Sequence, residues 1–349
     1  SGGASPGNLS RGVCKKTDGL AERTEKLVSL IVPADQAGER VDVYLQAALP
    51  DVSRSQIQSL LKQGFLTVGG RQVKPSERLQ GEELVTGKVP LLRTEGTLTG
   101  VSMDLDIVYE DDAVVVVNKP AGITVHPGAG TTEPTLVHGL IHRYQNLPGA
   151  DPIRPGIVHR LDKMTSGLLV CAKTHHAMAH LSEQFRLKTA HRRYLALVDG
   201  VPEWQRLSLD NVLIRDPHNR LRFCVRPEQQ HHPEGKRAVT HLQCQAQFGH
   251  RLSLIAATLD TGRTHQIRVH LSHLGLGILG DLLYHRKVAL PLHFVESLRD
   301  LIWGLDGQLL HAVSLSFEQP QTGERLQFAA ALPEKMAAVL QALEPYKIP

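Results

Sequence analysis

The chain has 349 residues, of which 41% are hydrophobic, and a formal net charge of +4 at pH 7. This apolar fraction excludes a disordered or fibrous chain, and the length favours about two domains. Aliphatic runs such as Val114 to Val117 are far shorter than the roughly 20 residues of a membrane helix, and the N-terminal residues do not resemble a signal peptide. The four cysteines form no CxxC pair, which favours a reducing compartment. We expect a cytoplasmic protein without a membrane segment.

Changes of composition divide the chain into five segments. Residues 1–27 are expected to form a flexible tail and residues 28–86 a small domain, followed by a linker rich in Gly and Thr at residues 87–103. Residues 104–335 carry the strands and helices of a larger domain, and residues 336–349 the end of a C-terminal helix and a tail. The sequence therefore predicts two folded domains.

The small domain has the pattern of two helices followed by a hairpin. Residues 40–49 place apolar side chains on one stripe of a helix, and a second helix is expected between Ser53, a candidate N-cap, and Gly64. The stretch FLTV, the Gly69-Gly70 pair and the stretch RQV then favour a short hairpin.

This order of elements, in the stretch SRSQIQSLLKQGFLTVGGRQVKP, resembles the S4-type RNA-binding domain. The resemblance implies a small α/β domain whose second helix and following turn lie against structured RNA. On that basis, Arg54, Lys62 and Lys74 are the candidates for contacts with RNA phosphates.

The larger domain mixes strand-like apolar runs with helices. The runs AVVVVNKP, GLLVCAKT, YLALVDG and LSLIAATL have the composition of buried strands. Helices are expected at residues 175–188 and 264–274, with Asp260 or Thr264 as the N-cap of the second. Neither a regular βαβ alternation nor a glycine-rich phosphate loop is present. The pattern predicts an α+β domain with a mostly antiparallel central sheet and flanking helices.

Basic residues cluster at three places, residues 54–78, 186–193 and 215–237. Solvated loops with chance charge are the alternative interpretation of each cluster taken singly. Three clusters in one chain favour a polyanionic partner such as RNA or DNA.

One acid, Asp162, stands in the stretch VHRLDKMTSG between a His-Arg pair and a Thr-Ser-Gly turn. Taken alone, an Asp before a turn predicts a side chain that bonds its own backbone. Two further stretches change this interpretation, because HRRYLALVDG contains Tyr194 and LDTGRTHQIRVHLSHLG contains Arg263 and Arg268. An acid, a tyrosine and an arginine in basic surroundings suit a nucleophile or base that acts on a nucleic acid.

Four segments in this order resemble the RluA/RluD family of pseudouridine synthases: GIVHRLDKMTSGLLVCAKT, HRRYLALVDG, LDTGRTHQIRVHLSHLG and ILGDLLY. The preceding LDIVYEDDAVVVVNKPAGITVHPGAG resembles the RluD-like branch, in which an N-terminal S4-type domain is usual. The resemblance implies the pseudouridine synthase fold and an isomerase that converts uridine in RNA to pseudouridine without a cofactor or metal. Large-subunit ribosomal RNA is the expected partner, and the protein is expected to be a monomer.

The resemblance also implies roles for individual residues. Asp162 matches the catalytic nucleophile, and Arg268 matches the arginine that pairs with it and favours its ionised form. Arg263 is the alternative partner of Asp162. Tyr194 matches a tyrosine placed against the uracil ring, either as a base or by stacking. Arg160 matches the side chain that fills the gap left by the flipped target base.

Other functions remain as alternatives. A zinc hydrolase is suggested by the 19 histidines, with His176 and His180, or His270 and His273, at helical spacing. No Glu follows His176 as a metalloprotease motif requires, and no acidic third ligand stands near His270 and His273. A non-catalytic RNA-binding relative would share the S4-type domain and the basic clusters without needing Asp162. A synthase that acts on another RNA, such as tRNA, would share every motif.

Overall fold

The structure, a computed structural model, describes residues 24–49, 52, 54–91, 98–128, 131–149, 151–227, 235–286 and 289–349. The chain divides into two compact units, Ser1–Thr97 and Leu98–Pro349. Each unit has hydrophobic clusters of its own. Ser53, the predicted N-cap, and most of the predicted N-terminal tail lie outside the described residues.

The N-terminal unit contains the two predicted helices and a small sheet. The helices are α1, Val41–Ala48, and α2, Arg54–Gln63, and the strands are β1, Thr24–Ile31, β2, Leu66–Val68, and β3, Leu84–Leu91. The sheet has the antiparallel order β1-β3-β2. Apolar side chains of both helices, among them Leu45, Ile57 and Leu61, pack on one face of this sheet in a single buried cluster.

The strand bounds differ from the predicted segment limits. Strand β1 begins at Thr24, inside the predicted tail, and β3 continues to Leu91, inside the predicted linker. The cause is the register, because Thr24 pairs with Leu91 at the far end of the two strands. The predicted turn at Gly69-Gly70 is present, and both glycines have positive φ, as a tight hairpin turn requires. The returning segment forms a single bridge, between Val68 and Arg71, and β2 pairs with β3 instead.

The C-terminal unit is built on one large sheet. Its strands are β4, Ile107–Glu110, β5, Val114–Lys119, β6, Ser166–Ala172, β7, His191–Asp199, β8, Arg206–Arg215, β9, Phe223–Val225, β10, Lys236–Phe248, β11, Leu252–Leu259, β12, Gly277–Ile278, β13, Leu310–Glu318, and β14, Arg325–Ala329. They follow the order β4-β5-β6-β13-β7-β11-β10-β8-β9, with β12 beside β7 and β14 beside β13. Among the described strand pairs, β6 and β13 are parallel and the others antiparallel, so the predicted α+β fold is confirmed.

The described helices that flank this sheet are α3, Leu136–Tyr144, α4, His175–Leu187, α5, Gln266–His273, α6, Glu296–Trp303, and α7, Glu334–Leu343. Helices α4 and α5 lie within the predicted residues 175–188 and 264–274. The predicted boundary after residue 335 falls inside α7. Met336, Val339 and Leu343 of this helix are buried in a cluster with Phe294 of the same unit, so α7 is part of the core of the unit. Among the described helices, none is long and apolar enough to cross a membrane.

Strand β13 lies at the centre of the sheet, between β6 and β7. Gly167, at the start of β6, has φ +114°, and a Cβ atom there would lie 2.3 Å from the carbonyl oxygen of Ala312 on β13. Only glycine allows the two backbones to approach so closely. Because the loop that carries Asp162 leads directly into β6, this contact fixes the end of the loop against β13.

Candidate active site

A cleft in the C-terminal unit is lined by residues of three segments and by Leu310 of β13. The loop before β6 contributes Arg160, Leu161, Asp162 and Thr165, β7 contributes Arg192 and Tyr194, and residues 259–268, at the start of α5, contribute the largest part. The structure therefore brings together four of the residues singled out by the sequence, Asp162, Tyr194, Arg268 and Arg160.

Asp162 is held in the cleft by one arginine and by its own loop. Its side chain is 16% exposed, and its Oδ2 accepts a hydrogen bond of 3.1 Å from Nη1 of Arg268. The backbone N–H of Thr165 donates to the Asp162 carbonyl, which closes the turn predicted after the acid. Arg263, the alternative partner, instead donates from Nε to the carbonyl oxygen of Arg237 at 3.0 Å. The contact thus belongs to Arg268.

The two-pronged contact of Arg268 is made with a different carboxylate, Asp281. Nε of Arg268 lies 2.7 Å from Asp281 Oδ2, and Nη2 lies 2.9 Å from Oδ1. Asp281 is 1% exposed and also accepts from the backbone N–H of Leu283 and of Tyr284. Burial alone would lower the pKa of Arg268, but the bonds to Asp281 and Asp162 raise it above its ordinary value. A permanently charged guanidinium is therefore locked on one side and presents Nη1 to Asp162.

Asp281 was missed as a site residue in the sequence. The segment ILGDLLY was noted only as part of a motif, and no spacing rule links its acid to Arg268, 13 residues earlier. Tyr284, three residues on, is a second missed residue, since the guanidinium carbon of Arg268 lies 4.9 Å from the centre of its ring. A cation over an aromatic face is a favourable contact.

His265 is the third residue that the sequence did not single out. It lines the cleft, and it is the N-cap of α5 with φ +58°, so the predicted caps, Asp260 and Thr264, were wrong. Its Nδ1 lies 2.8 Å from the hydroxyl oxygen of Tyr284. A left-handed non-glycine residue costs about 1–3 kcal/mol and often marks a functional site. Burial lowers the pKa of His265, so its ring is neutral at pH 7.

Tyr194 and Arg160 both line the cleft, but Tyr194 is buried and Arg160 is exposed. Tyr194 is 4% exposed on β7, and burial raises its pKa, with the Asp162 carboxylate acting in the same direction and Arg192 against it. At neutral pH the side chain is therefore a neutral phenol. Arg160 is exposed at the mouth of the cleft, two residues before Asp162, where its side chain can reach a bound molecule.

A buried lysine, Lys119, donates hydrogen bonds to the loop of Asp162 and to a neighbouring segment. The ammonium group of Lys119, at the end of β5, donates to the carbonyl oxygens of Pro120 at 2.8 Å, Ile123 at 2.9 Å and Lys163 at 3.2 Å. Burial lowers the pKa of Lys119 to about 7, and the charge of Asp162 opposes this shift. The side chain joins two chain segments, one of which carries the acid.

The remaining predicted RNA contacts lie in the N-terminal unit. Lys62, in the last turn of α2, and Lys74 are exposed. Arg54, at the start of α2, donates from Nε and Nη2 to Oδ2 of the fully buried Asp42, at 3.1 and 3.0 Å. Arg40 binds the same carboxylate. The RNA-binding role of Arg54, Lys62 and Lys74 stays a prediction.

The histidine pairs considered as zinc ligands have other contacts. Nδ1 of His180 lies 2.9 Å from Nε2 of Gln184, and Nδ1 of His270 lies 2.8 Å from the hydroxyl oxygen of Thr240. Within the part of the chain that the structure describes, three or more His, Cys, Asp or Glu side chains are nowhere grouped so that they could hold a metal ion.

Comparison with known proteins finds relatives that match most of the chain. The family model of RNA pseudouridylate synthase matches residues 113–273, and that of the S4 domain matches residues 39–85. Ribosomal large subunit pseudouridine synthase D of Xanthomonas campestris pv. campestris is 39% identical over 313 residues, which cover 90% of this chain and 91% of that protein. The chain belongs to the RNA pseudouridine synthase family. The protein of the same name from Vibrio parahaemolyticus is 39% identical over 327 residues, 91% of this chain and 96% of its own.

A solved structure supports the same assignment. The human protein RNA Pseudouridylate Synthase Domain Containing 4 matches with a TM-score of 0.55 and 25% identity, over 68% of this chain and 92% of that chain. The predicted fold, family and enzyme class are thereby confirmed, and the chain is an RNA pseudouridine synthase with an N-terminal S4 domain. The roles of the individual site residues stay predictions.

Proposed function

We propose that this synthase converts uridine to pseudouridine in large-subunit ribosomal RNA, with Asp162 as the catalytic nucleophile. The observation that carries this proposal is the geometry of Asp162. Its carboxylate is partly exposed in a basic cleft, and an arginine that is itself locked by Asp281 fixes its orientation. A reactive group held this way loses little entropy when it meets its substrate.

The reaction is an isomerisation and needs no outside reactant. The bond between ribose C1′ and uracil N1 breaks with the assistance of Asp162, the uracil turns in the cleft, and a bond forms between C1′ and uracil C5. The hydrogen of C5 leaves as a proton, and N1 gains one. Asp162 must act as an ionised carboxylate, and Nη1 of Arg268 supports that form by a charge-assisted hydrogen bond.

Two further residues fit this scheme. Tyr194 lies beside Asp162 in the wall of the cleft, and as a neutral phenol it can hold the face of the uracil ring while the base turns. Arg160 stands at the mouth, where its planar side chain can replace the flipped base in the RNA stack. Flipping a base costs a few kcal/mol, so such a replacement would lower the barrier to entry.

Ribosomal RNA is proposed as the substrate because of the relatives. Two proteins that are 39% identical over nine-tenths of this chain are named ribosomal large subunit pseudouridine synthase D. The S4 domain supports a structured RNA as the partner. We accordingly propose a cytoplasmic enzyme that acts as a monomer, with tRNA as the alternative substrate.

Two measurements test the proposal. Release of tritium from RNA labelled at uracil C5 reports the isomerisation, and the purified protein is expected to release it without added cofactor from large-subunit ribosomal RNA. Mapping of pseudouridines in cells with and without the gene then identifies the RNA. A protein that binds RNA but releases no tritium would be the non-catalytic relative, and a change confined to tRNA would replace ribosomal RNA as the substrate.

A further inference from the structure

Arg192 is a buried arginine in the wall of the cleft. It lies on β7 two residues before Tyr194, and the alternation of the strand places both side chains on the same, buried face. Arg192 is 6% exposed and lines the cleft together with Asp162 and Tyr194. The neighbouring Arg193 points to the other face, is exposed, and donates to Gln245.

The guanidinium of Arg192 has no counterion among the residues that the structure describes. Its Nε is buried with no hydrogen-bond partner, and no carboxylate of the described residues forms an ion pair with it. The group lies 4.9 Å from the centre of the Phe185 ring. On another side it lies against Gly262, where a Cβ atom would be only 3.0 Å from Nη1. A ring and a bare backbone therefore orient the cation.

The buried positive charge of Arg192 is not compensated by any described group. An arginine stays charged in proteins, and a buried charge costs several kcal/mol unless an opposite charge or hydrogen bonds compensate it. Arg268, in the same cleft, is compensated by two carboxylates. Arg192 has no such partner among the described residues, so its compensation is expected to come from a bound anion.

We propose that Arg192 binds a non-bridging phosphate oxygen of the RNA nucleotide whose base enters the cleft. This inference rests on the proposed function. A phosphodiester carries the full negative charge that the site lacks, and the planar fork of arginine matches its oxygens. A uracil carbonyl is neutral and would leave the cation uncompensated. Arg160 and Arg263, exposed in the lining of the same cleft, continue the positive charge from Arg192 towards solvent, along which the RNA backbone can enter.

The test compares Arg192→Gln with Arg192→Lys and, as a control at an exposed arginine of β14 outside the three basic clusters, Arg325→Gln. RNA affinity is measured at several salt concentrations, and kcat and KM by tritium release. Arg192→Gln is expected to raise Kd and KM about tenfold and to flatten the slope of log affinity against log salt by about 0.7, the value of one phosphate contact on single-stranded RNA. Lysine should keep the slope, and Arg325→Gln should leave it unchanged.

RNA that carries a neutral methylphosphonate at the target nucleotide tests the same contact in the unaltered enzyme. Wild-type protein should bind this RNA about tenfold more weakly than unmodified RNA. Arg192→Gln should bind the two RNAs with equal affinity. An unchanged salt slope with a lowered kcat would assign Arg192 to the uracil instead. Unchanged kinetics with a lowered melting temperature would make it structural. If Arg192→Gln does not fold, undiminished wild-type binding of the methylphosphonate RNA still overturns the proposal. Absence of tritium release by the wild type would reject the proposed function. It would not affect the test of Arg192, because RNA binding is measured independently of turnover.

Discussion

Each unit buries one charged side chain between two side chains of opposite charge. The central side chain is an acid in the N-terminal unit and an arginine in the C-terminal unit. In the N-terminal unit a single carboxylate, Asp42, binds Arg40 and Arg54 and also accepts from Gln58. In the C-terminal unit a single guanidinium, Arg268, binds Asp162 and Asp281. Asp42 is fully buried and Arg268 is 8% exposed, so the central group of each trio is removed from water.

The net charge of each trio matches the role proposed for its unit. The Asp42 trio has one positive charge in excess, carried by two guanidinium groups that are 42% and 45% exposed and can still meet a phosphate. The Arg268 trio has one negative charge in excess, and the more exposed of its two carboxylates is Asp162. Under the proposed roles, the first arrangement would present oriented cations to RNA, and the second an oriented anion to a single nucleotide.

Removal of the excess anion should have the largest effect. Asp162→Asn keeps the size of the side chain and can still accept from Arg268, so the free energy of unfolding should change by about 1 kcal/mol or less. Tritium release should fall below detection while RNA affinity persists. Asp151→Asn, at an exposed acid outside the cleft lining, serves as the control and should stay active. Clear turnover by Asp162→Asn would remove this residue from the nucleophile role.

Removal of the central cation should follow in size. Arg268→Ala leaves two carboxylates without their partner, which should cost about 3–5 kcal/mol of stability, measured by chemical denaturation. Activity should be lost at pH 7, because the Asp162 carboxylate loses the side chain that orients it. Arg268→Lys should rescue only partly, because a point charge cannot bind Asp281 in two prongs and reach Asp162 as well. Near-normal rates for both variants would show that the trio plays no part in the reaction.

Deletion of the first unit should weaken binding more than chemistry. The cut belongs after residue 97, because β3 continues to Leu91 and a cut at residue 86 would divide it. If Arg54, Lys62 and Lys74 each contact one phosphate, the salt slope should flatten by about 2, at about 0.7 for each contact. The value of kcat at saturating RNA should stay within a few-fold of wild type. An unchanged salt slope would show that this unit does not touch the RNA.

Asp42→Asn should weaken RNA binding although it makes the protein more positive. The variant releases Arg40 and Arg54, and ordering a free side chain on binding costs about 1 kcal/mol, or roughly fivefold in affinity for each side chain. Glu77→Gln is the control, because Glu77 pairs with the exposed Arg71 on the surface, and its loss should leave affinity equal or slightly higher. Tighter binding by Asp42→Asn would mean that the acid merely neutralises charge. Circular dichroism establishes that the variant is folded.

Acid should destabilise the two units in different pH ranges. Burial lowers the pKa of five histidines of the C-terminal unit, that of His270 to about 4, whereas residues 1–125 contain no histidine. Such a ring is neutral when folded and takes up a proton when unfolded below pH 6.5, so stability is lost as the pH falls from about 6.5 towards 4. Asp42, whose pKa is held well below its usual range by Arg40, Gln58 and Arg54 against the effect of burial, loses its contribution only below about pH 4.

Tryptophan fluorescence separates these two ranges, because Trp204 and Trp303, the two tryptophans of the chain, lie in the C-terminal unit. The melting temperature reported by fluorescence should be several degrees lower at pH 5 than at pH 7. His270→Gln should reduce this difference, and the exposed His191→Gln should not. An equal pH dependence in wild type and His270→Gln would show that this histidine does not couple folding to protons.

The parts of the site that are local in sequence could be predicted, and those that depend on contacts across the chain could not. The motifs singled out Asp162, Tyr194 and Arg268, which the structure places in one cleft, and the helices expected at residues 175–188 and 264–274 are present as α4 and α5. Asp281 was missed because its two-pronged contact depends on how the segment after α5 folds back on that helix. The limits predicted for the small domain, residues 28 and 86, fall inside β1 and β3, because strand ends are set by pairing, here between Thr24 and Leu91.

The central position of β13 has a consequence for the synthesis of the protein on the ribosome. Strand β7 ends at Asp199 and β13 begins at Leu310, so at about 5–20 residues per second the strand that joins β6 to β7 emerges on the order of ten seconds later. During this interval the facing edges of β6 and β7 are unpaired, and unpaired strand edges can bind chaperones or other nascent chains. Fragments that end at Leu309 are therefore expected to be protease-sensitive and inactive, and a newborn chain gains its enzymatic activity only when β13 closes the sheet.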